Sequence, residues 1–391
     1  MGWRSRWGCL NCAANADKGN TMQFSFLNQS KAIHTDLKQA WLNIIKNNEI
    51  SVLDVAASVC SVALAIFIAH QLHFEYSMWA AFSAYVVMRP FFNQTLTRGV
   101  LRIVGTLLGG AAGVALALFF PRELNLFSVC AIFFIVSSVT AYYANVVSDQ
   151  YNYAVLFFGL TFSLIVGYAF AYPQQDIVHI GWMRAADVMV GSLSTIFVSA
   201  VLQFIVKKPA TSPPAKARTS PPAQQDQQYL PFALLAGLST GLTPLLVIWG
   251  GQMIFIQATV TILAVSNQPR VASINLPAAS MKKLMYRAIG CFAGALLGMA
   301  FNFICVFFSS YALLMLLTLL GTAVGKILQD SNAESSYMGA QFAVGLLMVS
   351  VHDSVALLND RFGVHRFLGV MVGLALLAGM LALFAPRQKP N

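Results

Sequence analysis

The chain has 391 residues, of which 58% are hydrophobic and only 10% are charged. About a quarter of the residues are charged in an ordinary soluble domain, so this composition excludes a soluble globular enzyme and indicates a membrane protein. The formal net charge of +10 is interpreted as a signal of membrane topology, and no nucleic-acid partner is expected.

Apolar runs long enough to cross about 30 Å of hydrocarbon recur along almost the whole chain. Because these runs lack the alternating pattern of barrel strands, we predict an all-α, polytopic membrane helical bundle with about 12 transmembrane helices. In chain order the predicted spans are 51–72, 76–91, 100–120, 125–145, 150–172, 180–206, 229–249, 251–268, 286–308, 310–328, 335–352 and 363–386.

The basic residues are distributed unevenly between the two predicted faces of the membrane. With the N-terminus in the cytoplasm, the 24 Lys and Arg residues all fall on the inner side except Arg122, Arg184, Arg361 and Arg366. An excess of Lys and Arg is typical of cytoplasmic segments. We therefore predict a multi-pass protein with both termini in the cytoplasm.

A proline-rich, polar and basic stretch divides the predicted spans into two sets of six, and we predict that it is a linker without a packed core. Because six is an even number, both sets would enter the membrane in the same direction, which predicts two parallel six-helix repeats. The predicted organisation is a cytoplasmic N-terminal segment at 1–48, repeat 1 at 49–206, the linker at 207–228, repeat 2 at 229–386 and a cytoplasmic tail at 387–391.

Two stretches share one pattern of basic residues and glycines: RGVLRIVGTLLGGAAG, from Arg98, and KKLMYRAIGCFAGALLG, from Lys282. The shared positions have the spacing of one helical face. We predict that the basic residues form an anion path and that the glycines pack against another helix; the alternative is that the basic side chains only snorkel to the cytoplasmic interface. The predicted path residues are Arg98, Arg102, Lys283 and Arg287, and the predicted packing residues are Gly105, Gly109, Gly113, Gly290, Gly294 and Gly298.

Acidic residues are rare in the predicted spans, and a buried carboxylate resists ionisation, as a proton-coupled carrier requires. For Asp187, which lies one helical turn after Arg184, the alternative is a structural ion pair with that arginine. For His352, the alternative is a position at the membrane interface. The candidates for proton coupling are Asp54, Asp187, Asp353 and His352.

Aromatic and amide side chains offer further contacts. Trp79, Tyr151 and Tyr153 are candidates to stack on an aromatic substrate, and the alternative is a position at the membrane interface. The amides of the second half could donate hydrogen bonds to a substrate or to neighbouring helices. These amide residues are Gln252, Gln257 and Gln341.

The stretch MWAAFSAYVVMRPFFNQTLTRGVLRIVGTLLGGAAG, from Met78, resembles the fusaric acid resistance and aromatic acid exporter family. A tryptophan opens the second span, R-x-x-G-T-L-L-G opens the third, and the sixth span begins with RAADVMVG, which recurs as RFLGVMVG from Arg366. The resemblance covers most of 45–206, whereas the second half matches weakly and has no clear counterpart of Trp79. It implies a repeated six-helix unit and the export of aromatic carboxylic acids from bacteria, with the plant aluminium-activated malate transporters as distant relatives that act as anion channels.

Together these features predict a secondary transporter of the bacterial inner membrane that exports aromatic or related organic carboxylates, with the proton gradient as a candidate energy source. A passive organic-anion channel is the first alternative, and a structural or lipid-handling membrane protein is the second. Small organic anions and the lipid bilayer are the expected partners, and a periplasmic adaptor protein is a candidate partner. The sequence has no metal-ligand, nucleophile-elbow or P-loop pattern, so we expect neither an enzyme nor a cofactor or metal site.

Overall fold

The computed structural model describes residues 26–46, 51–75, 77–121, 124–147, 151–206, 226–249, 251–267, 276–351 and 362–384. Every regular element in these ranges is a helix. The helices are α1 (Phe26–Lys46), α2 (Val52–Gln71), α3 (Met78–Val87), α4 (Phe92–Phe119), α5 (Leu126–Val146), α6 (Asn152–Ala171), α7 (Ile177–Val206), α8 (Asp226–Gly241), α9 (Gln252–Ser266), α10 (Leu276–Phe308), α11 (Tyr311–Ser331), α12 (Ser336–Ser350) and α13 (Phe362–Phe384).

The fold is an all-α, multi-pass membrane bundle, as the sequence predicts. Within the described residues, nine helical segments are long and apolar enough to cross a membrane. Three shorter apolar helices, α3, α9 and α12, account for the remaining predicted spans. Each predicted span therefore coincides with a helix, although α8 is followed by a separate 3₁₀ segment, Thr243–Trp249, within one predicted span.

The structure describes part of the predicted linker and part of the predicted N-terminal segment. Helix α8 begins at Asp226, inside the predicted linker, while residues 207–225 lie outside the described part of the chain. Helix α1 lies within the predicted N-terminal segment and buries Ile33 and Ala40 while it exposes Trp41. The Asn43 amide of α1 donates to the Ser331 carbonyl at 2.7 Å, so this helix is attached to the end of α11.

Glycines bring α4 against α6 and α10 against α12. A Cβ atom added at Gly109 would collide with the carbonyl oxygen of Phe158, and one added at Gly294 would collide with that of Phe342. Since only glycine lets two helix backbones approach so closely, these contacts fix how the helices pack. The other predicted glycines, Gly105, Gly113, Gly290 and Gly298, face the same two partner helices.

The two halves of the chain interlock rather than lie side by side. Helix α5 packs along α8, and α11 packs against α2, so each half contributes an outer helix to the other. In the middle of the bundle α6 contacts α9, and α12 contacts α3. These four central helices surround the cavity described next. We call the end of the bundle where α4 and α10 begin the basic end, and the opposite end, where α7 begins, the far end.

Candidate functional site

A cavity of about 570 Å³ lies between the two halves and extends inward from the basic end. Its volume is within the range of about 300–1,000 Å³ that is usual for small-molecule sites. Among the described lining residues, Glu334 is the one carboxylate. The basic lining residues are Arg89, Arg98, Arg184, Lys282, Lys283 and Arg287.

Arg102, on α4, is completely buried behind the cavity wall. Its Nε and Nη2 donate to the Ser83 hydroxyl at 3.2 and 3.0 Å, and its Nη1 donates to the Tyr153 hydroxyl at 3.2 Å. The guanidinium carbon also lies 4.0 Å from the ring centroid of Phe157. Tyr153 and Phe157 line the cavity, so Arg102 holds one wall in position without facing the cavity itself.

Arg287, on α10, has the corresponding surroundings in the second half. Its Nη1 donates to the Gln341 carbonyl oxygen at 2.8 Å and to the Tyr337 hydroxyl at 3.5 Å, and its Nη2 donates to the Thr261 hydroxyl at 3.5 Å. Unlike Arg102, it lines the cavity, although it is 7% exposed. Its buried Nε has no hydrogen-bond partner. Arg287 is therefore a cation available to a ligand.

The partners of the two arginines correspond in pairs. Ser83 on α3 matches Thr261 on α9, and the contacts of α4 with α6 match those of α10 with α12. The surroundings of the two arginines therefore match, while the duplication itself stays a prediction. The remaining pairs are Tyr153 with Tyr337 and Phe157 with Gln341.

A second cation in each half lies over a tyrosine ring. The Arg98 guanidinium carbon is 4.9 Å from the Tyr153 ring centroid, and the Lys283 ammonium is 5.1 Å from that of Tyr337. Lys283 also donates to the Asn267 carbonyl. Cations at this distance are attracted by the negative faces of the rings. Both side chains line the cavity, so each half supplies positive charge to it.

At the cavity mouth, one of the cations is already paired with acidic side chains. Lys282 lies 2.8 Å from the Glu334 carboxylate and 3.3 Å from that of Asp36, which belongs to α1. The Tyr286 hydroxyl also donates to Asp36. Helix α1 thus contributes to the rim on the side of the second half.

At its inner end, the cavity is bounded by a partition made of Trp79, Leu164 and Arg184. A second cavity of about 220 Å³ lies toward the far end, and these three residues line both cavities. The Arg184 guanidinium carbon is 3.8 Å from the Trp79 ring centroid, so the two side chains are stacked. The partition therefore lies between the two cavities.

Two buried glutamines line the second-half wall of the larger cavity. Gln341 is fixed by Arg287, whereas the amide of Gln257, which is 4% exposed, makes no hydrogen bond with the described residues. Gly191 faces the Ala80 carbonyl and Gly373 faces that of Ala258. By this match Gln257 occupies the place of Trp79, which explains why the sequence shows no second tryptophan there.

The structure brings some of the predicted site residues together and leaves others apart. Asp54 lines a small cleft of about 30 Å³ beside Arg89, also at the basic end. Asp187 lines the second cavity, one helical turn from Arg184. Tyr151 is 53% exposed at the start of α6. The predicted residues that line the larger cavity are Trp79, Arg98, Tyr153, Lys283 and Arg287.

Some of the predicted site residues lie outside the part of the chain that the structure describes. The presence of a metal site can likewise be judged only for the described residues. His352 and Asp353 lie outside the described residues, and so does the side chain of Gln252. Within the described ranges, no group of three or more His, Cys, Asp or Glu side chains is arranged to hold a metal ion.

The fold and the cavity define a multi-pass helical membrane protein with a largely basic internal cavity. Residues 55–220 match the model of the Fusaric acid resistance protein family. This match covers α2 to α7, the half that contains Trp79, Arg102 and Arg184. The resemblance that the sequence indicates is therefore confirmed over this part of the chain.

Two further likenesses were found. Aluminum-activated malate transporter 2 from Arabidopsis thaliana is 27% identical over 128 residues, which is 32% of this chain and 25% of that protein. The chain thus matches about a quarter of the length of this plant relative. The crystal structure of the eukaryotic MATE transporter AtDTX14 aligns with 92% of this chain and 96% of its own at 15% identity, with a TM-score of 0.17.

Proposed function

We propose that the chain is a secondary transporter that exports aromatic or related organic carboxylates across a bacterial inner membrane. The basic end faces the cytoplasm in this proposal, in agreement with the excess of Lys and Arg on that side. A carboxylate enters the larger cavity from the cytoplasm and leaves through the smaller cavity at the far end.

The observation that carries the proposal is the charge of the larger cavity. Six basic side chains line it against one carboxylate among the described lining residues. A low-dielectric cavity lined by one sign of charge concentrates ions of the opposite sign. Arginine also grips a carboxylate with two parallel hydrogen bonds, and Arg287 has an Nε without a partner. Such a cavity is suited to bind an organic anion.

The first-half wall makes an aromatic substrate the favoured one. Trp79, Phe82 and Phe157 all line the cavity and present apolar ring surface to it. Aromatic rings pack well in offset or edge-to-face arrangements with such side chains. A ligand with a flat apolar body and a carboxylate would satisfy both this wall and the neighbouring cations.

The membrane potential already favours the proposed direction. An interior-negative potential drives an anion outward by about 2.3 kcal/mol per charge for each 100 mV. Proton coupling would add to this driving force, and Asp187, which lines the second cavity and is 1% exposed, is the proposed coupling residue nearest the path. Asp54 is the other proposed residue among those described.

A passive anion channel is the second candidate, favoured by the likeness to the plant malate transporter. The partition between the two cavities supports a carrier instead, because a carrier exposes its site to one side at a time. Electrical recording from the protein in a planar bilayer distinguishes them. Single-channel currents would favour the channel, whereas saturable exchange without such currents would favour the carrier.

The test of transport uses the purified protein in liposomes with radiolabelled benzoate inside. We expect saturable efflux that falls by at least about tenfold when Lys283→Gln and Arg287→Gln are combined, because both cations line the cavity. Lys38→Gln, which changes an exposed lysine on α1, is the matched charge control and should leave efflux unchanged. Wild-type liposomes that release neither benzoate nor an aliphatic acid faster than empty liposomes would contradict the proposal and favour a structural or lipid-handling role.

A further inference from the structure

Arg184 is not among the residues that the sequence predicts to form the anion path. Its side chain belongs to the partition and lines both cavities, so a solute that crosses between them must pass it. It is 8% exposed, and its Nε and Nη1 atoms are buried without hydrogen-bond partners. A buried guanidinium with two unused donors is costly unless another group satisfies them. Arg184 therefore has capacity to bind an anion.

The ring of Trp79 is the contact that now occupies the face of this guanidinium. Stacking on an aromatic ring leaves the in-plane N–H groups unused, since the attraction acts through the face of the cation. A carboxylate would instead accept two in-plane hydrogen bonds, which are the stronger interaction. The in-plane donors of Arg184 can thus bind an arriving carboxylate while the Trp79 ring covers the face of the guanidinium.

The second half has no equivalent arrangement among the described residues. Arg366 begins the corresponding repeated motif, but its Nη1 donates to the sulfur of Met78 and it lines neither cavity. Gln257 occupies the place of Trp79. The partition is therefore built by the first half, and it is not a general consequence of the repeated sequence.

The two sides of the partition differ in charge. The larger cavity is strongly basic, whereas the smaller one contains the carboxylates of Glu75, Asp176 and Asp187 together with Arg184 and His179. The His179 Nε2 atom lies 3.4 Å from the Glu75 carboxylate. An anion is thus attracted on the basic side and repelled on the far side.

We propose that Arg184 is a relay site for the carboxylate group of the substrate. The carboxylate leaves the cations of the larger cavity, accepts hydrogen bonds from the in-plane N–H groups of Arg184 beside the Trp79 ring, and is then released into the acidic far cavity. This inference rests on the proposed export of organic carboxylates and adds the residue that passes the substrate between the two cavities.

The experiment separates binding at the basic end from passage through the partition. Purified Arg184→Gln protein is compared with wild type for equilibrium binding of radiolabelled benzoate and for its efflux from liposomes, both per amount of monodisperse protein. We expect the dissociation constant to stay within about threefold of wild type while efflux falls by at least about tenfold. Arg366→Gln, the matched substitution in the second half, should leave efflux within about twofold of wild type.

The other outcomes overturn the inference in distinguishable ways. Wild-type efflux by Arg184→Gln removes the relay but leaves the proposed function standing, and an equal loss of binding and efflux makes Arg184 part of the loading site instead. Failure of wild type to bind or release benzoate contradicts the proposed function itself. If Arg184→Gln does not fold, Arg184→Lys gives the second test: the relay predicts slower benzoate efflux, because lysine keeps the charge but cannot grip a carboxylate with two parallel hydrogen bonds, and wild-type efflux contradicts it.

Discussion

Two buried arginines, Arg102 and Arg287, have corresponding positions and different access to the cavity. Arg102 and Arg287 bond to matching hydroxyl groups, yet Arg102 has no exposed surface and Arg287 lines the cavity. Their neighbours differ, because the rings of Phe157 and Phe82 lie over Arg102, whereas Gln341 accepts a hydrogen bond from Arg287. A shared scaffold therefore gives one arginine that supports a wall and one that is available to an anion.

The same contrast extends along the cavity. Trp79 and Phe157 make the first-half wall aromatic, whereas Gln257 and Gln341 make the second-half wall polar. Backbone packing is preserved where glycines require it, and side chains differ where they face the cavity. We conclude that the helix packing is common to both halves and that the recognition surface is not.

The largest expected effect comes from disrupting the glycine contacts that pack α4 against α6 and α10 against α12. Gly109→Leu and Gly294→Leu each place a side chain against a carbonyl oxygen of the partner helix, so each should destabilise the protein by about 3 kcal/mol, the upper end of the usual cost of overpacking. The measurement is the yield of monodisperse protein on size-exclusion chromatography. Gly110→Ala and Gly379→Ala are the controls, because an added Cβ meets no atom closer than 3.7 Å at Gly110 and none within 4 Å at Gly379. Normal yields of both leucine variants would contradict the packing.

The next prediction separates the roles of the two arginines. Arg287→Gln should weaken benzoate binding by about 10- to 100-fold, since a hydrogen bond to a charged group contributes about 1.5–3 kcal/mol. Arg102→Gln should instead lower stability, because it leaves the buried Ser83 and Tyr153 hydroxyls without their donor. Binding measurements and thermal melting in detergent report the two effects. A larger loss of binding from Arg102→Gln than from Arg287→Gln would reverse the assignment.

A smaller effect is expected from exchanging the residues that differ beside the arginines. With acetate as a probe that has no ring to pack on Phe157, Phe157→Gln should uncover Arg102 and strengthen binding by about threefold, whereas Gln341→Phe should cover Arg287 and weaken it by about tenfold. Isothermal titration of each variant measures both changes. The explanation for the unequal access fails if the two substitutions shift the affinity in the same direction.

The smallest effect is expected at the cations over the tyrosines. Arg98→Lys and Lys283→Arg keep both the charge and the ring contact, which contributes about 0.5–1 kcal/mol at accessible sites. Efflux of benzoate should therefore stay within about threefold of wild type. A loss of more than tenfold from either exchange would show that these positions require one specific cation geometry.

The sequence predicts the helices well because hydropathy and helix formation coincide in the spans. The predicted ends are less accurate where polar residues continue a helix: α4 begins at Phe92 and α10 at Leu276, well before the apolar runs at 100 and 286. Backbone hydrogen bonding continues through these basic turns although the hydropathy falls. Helix α1 is not predicted, because its signal is the spacing of Ile33, Leu37 and Ala40 rather than an apolar run.

For the site, the sequence predicts the cations but not which of them faces the cavity. The spacing of Arg98 and Arg102 places them on one helical face, whereas access depends on which residue of α6 or α12 covers them. Gln341 and Phe157 are recognised as corresponding residues only when α6 is aligned with α12. The sequences of these two helices are too dissimilar for the sequence alone to give that alignment. Arg184 was visible as the first residue of a repeated motif, but its position between two cavities depends on packing against Trp79.

The most direct test of the central claim is a cryo-EM structure of the protein in lipid nanodiscs with saturating benzoate. The account predicts density for the ligand in the larger cavity, with its carboxylate within hydrogen-bond distance of Arg287 or Lys283 and its ring against Trp79 or Phe82. Density for an acyl chain in that cavity under the same conditions, with benzoate absent from it, would contradict a carboxylate path between the two halves.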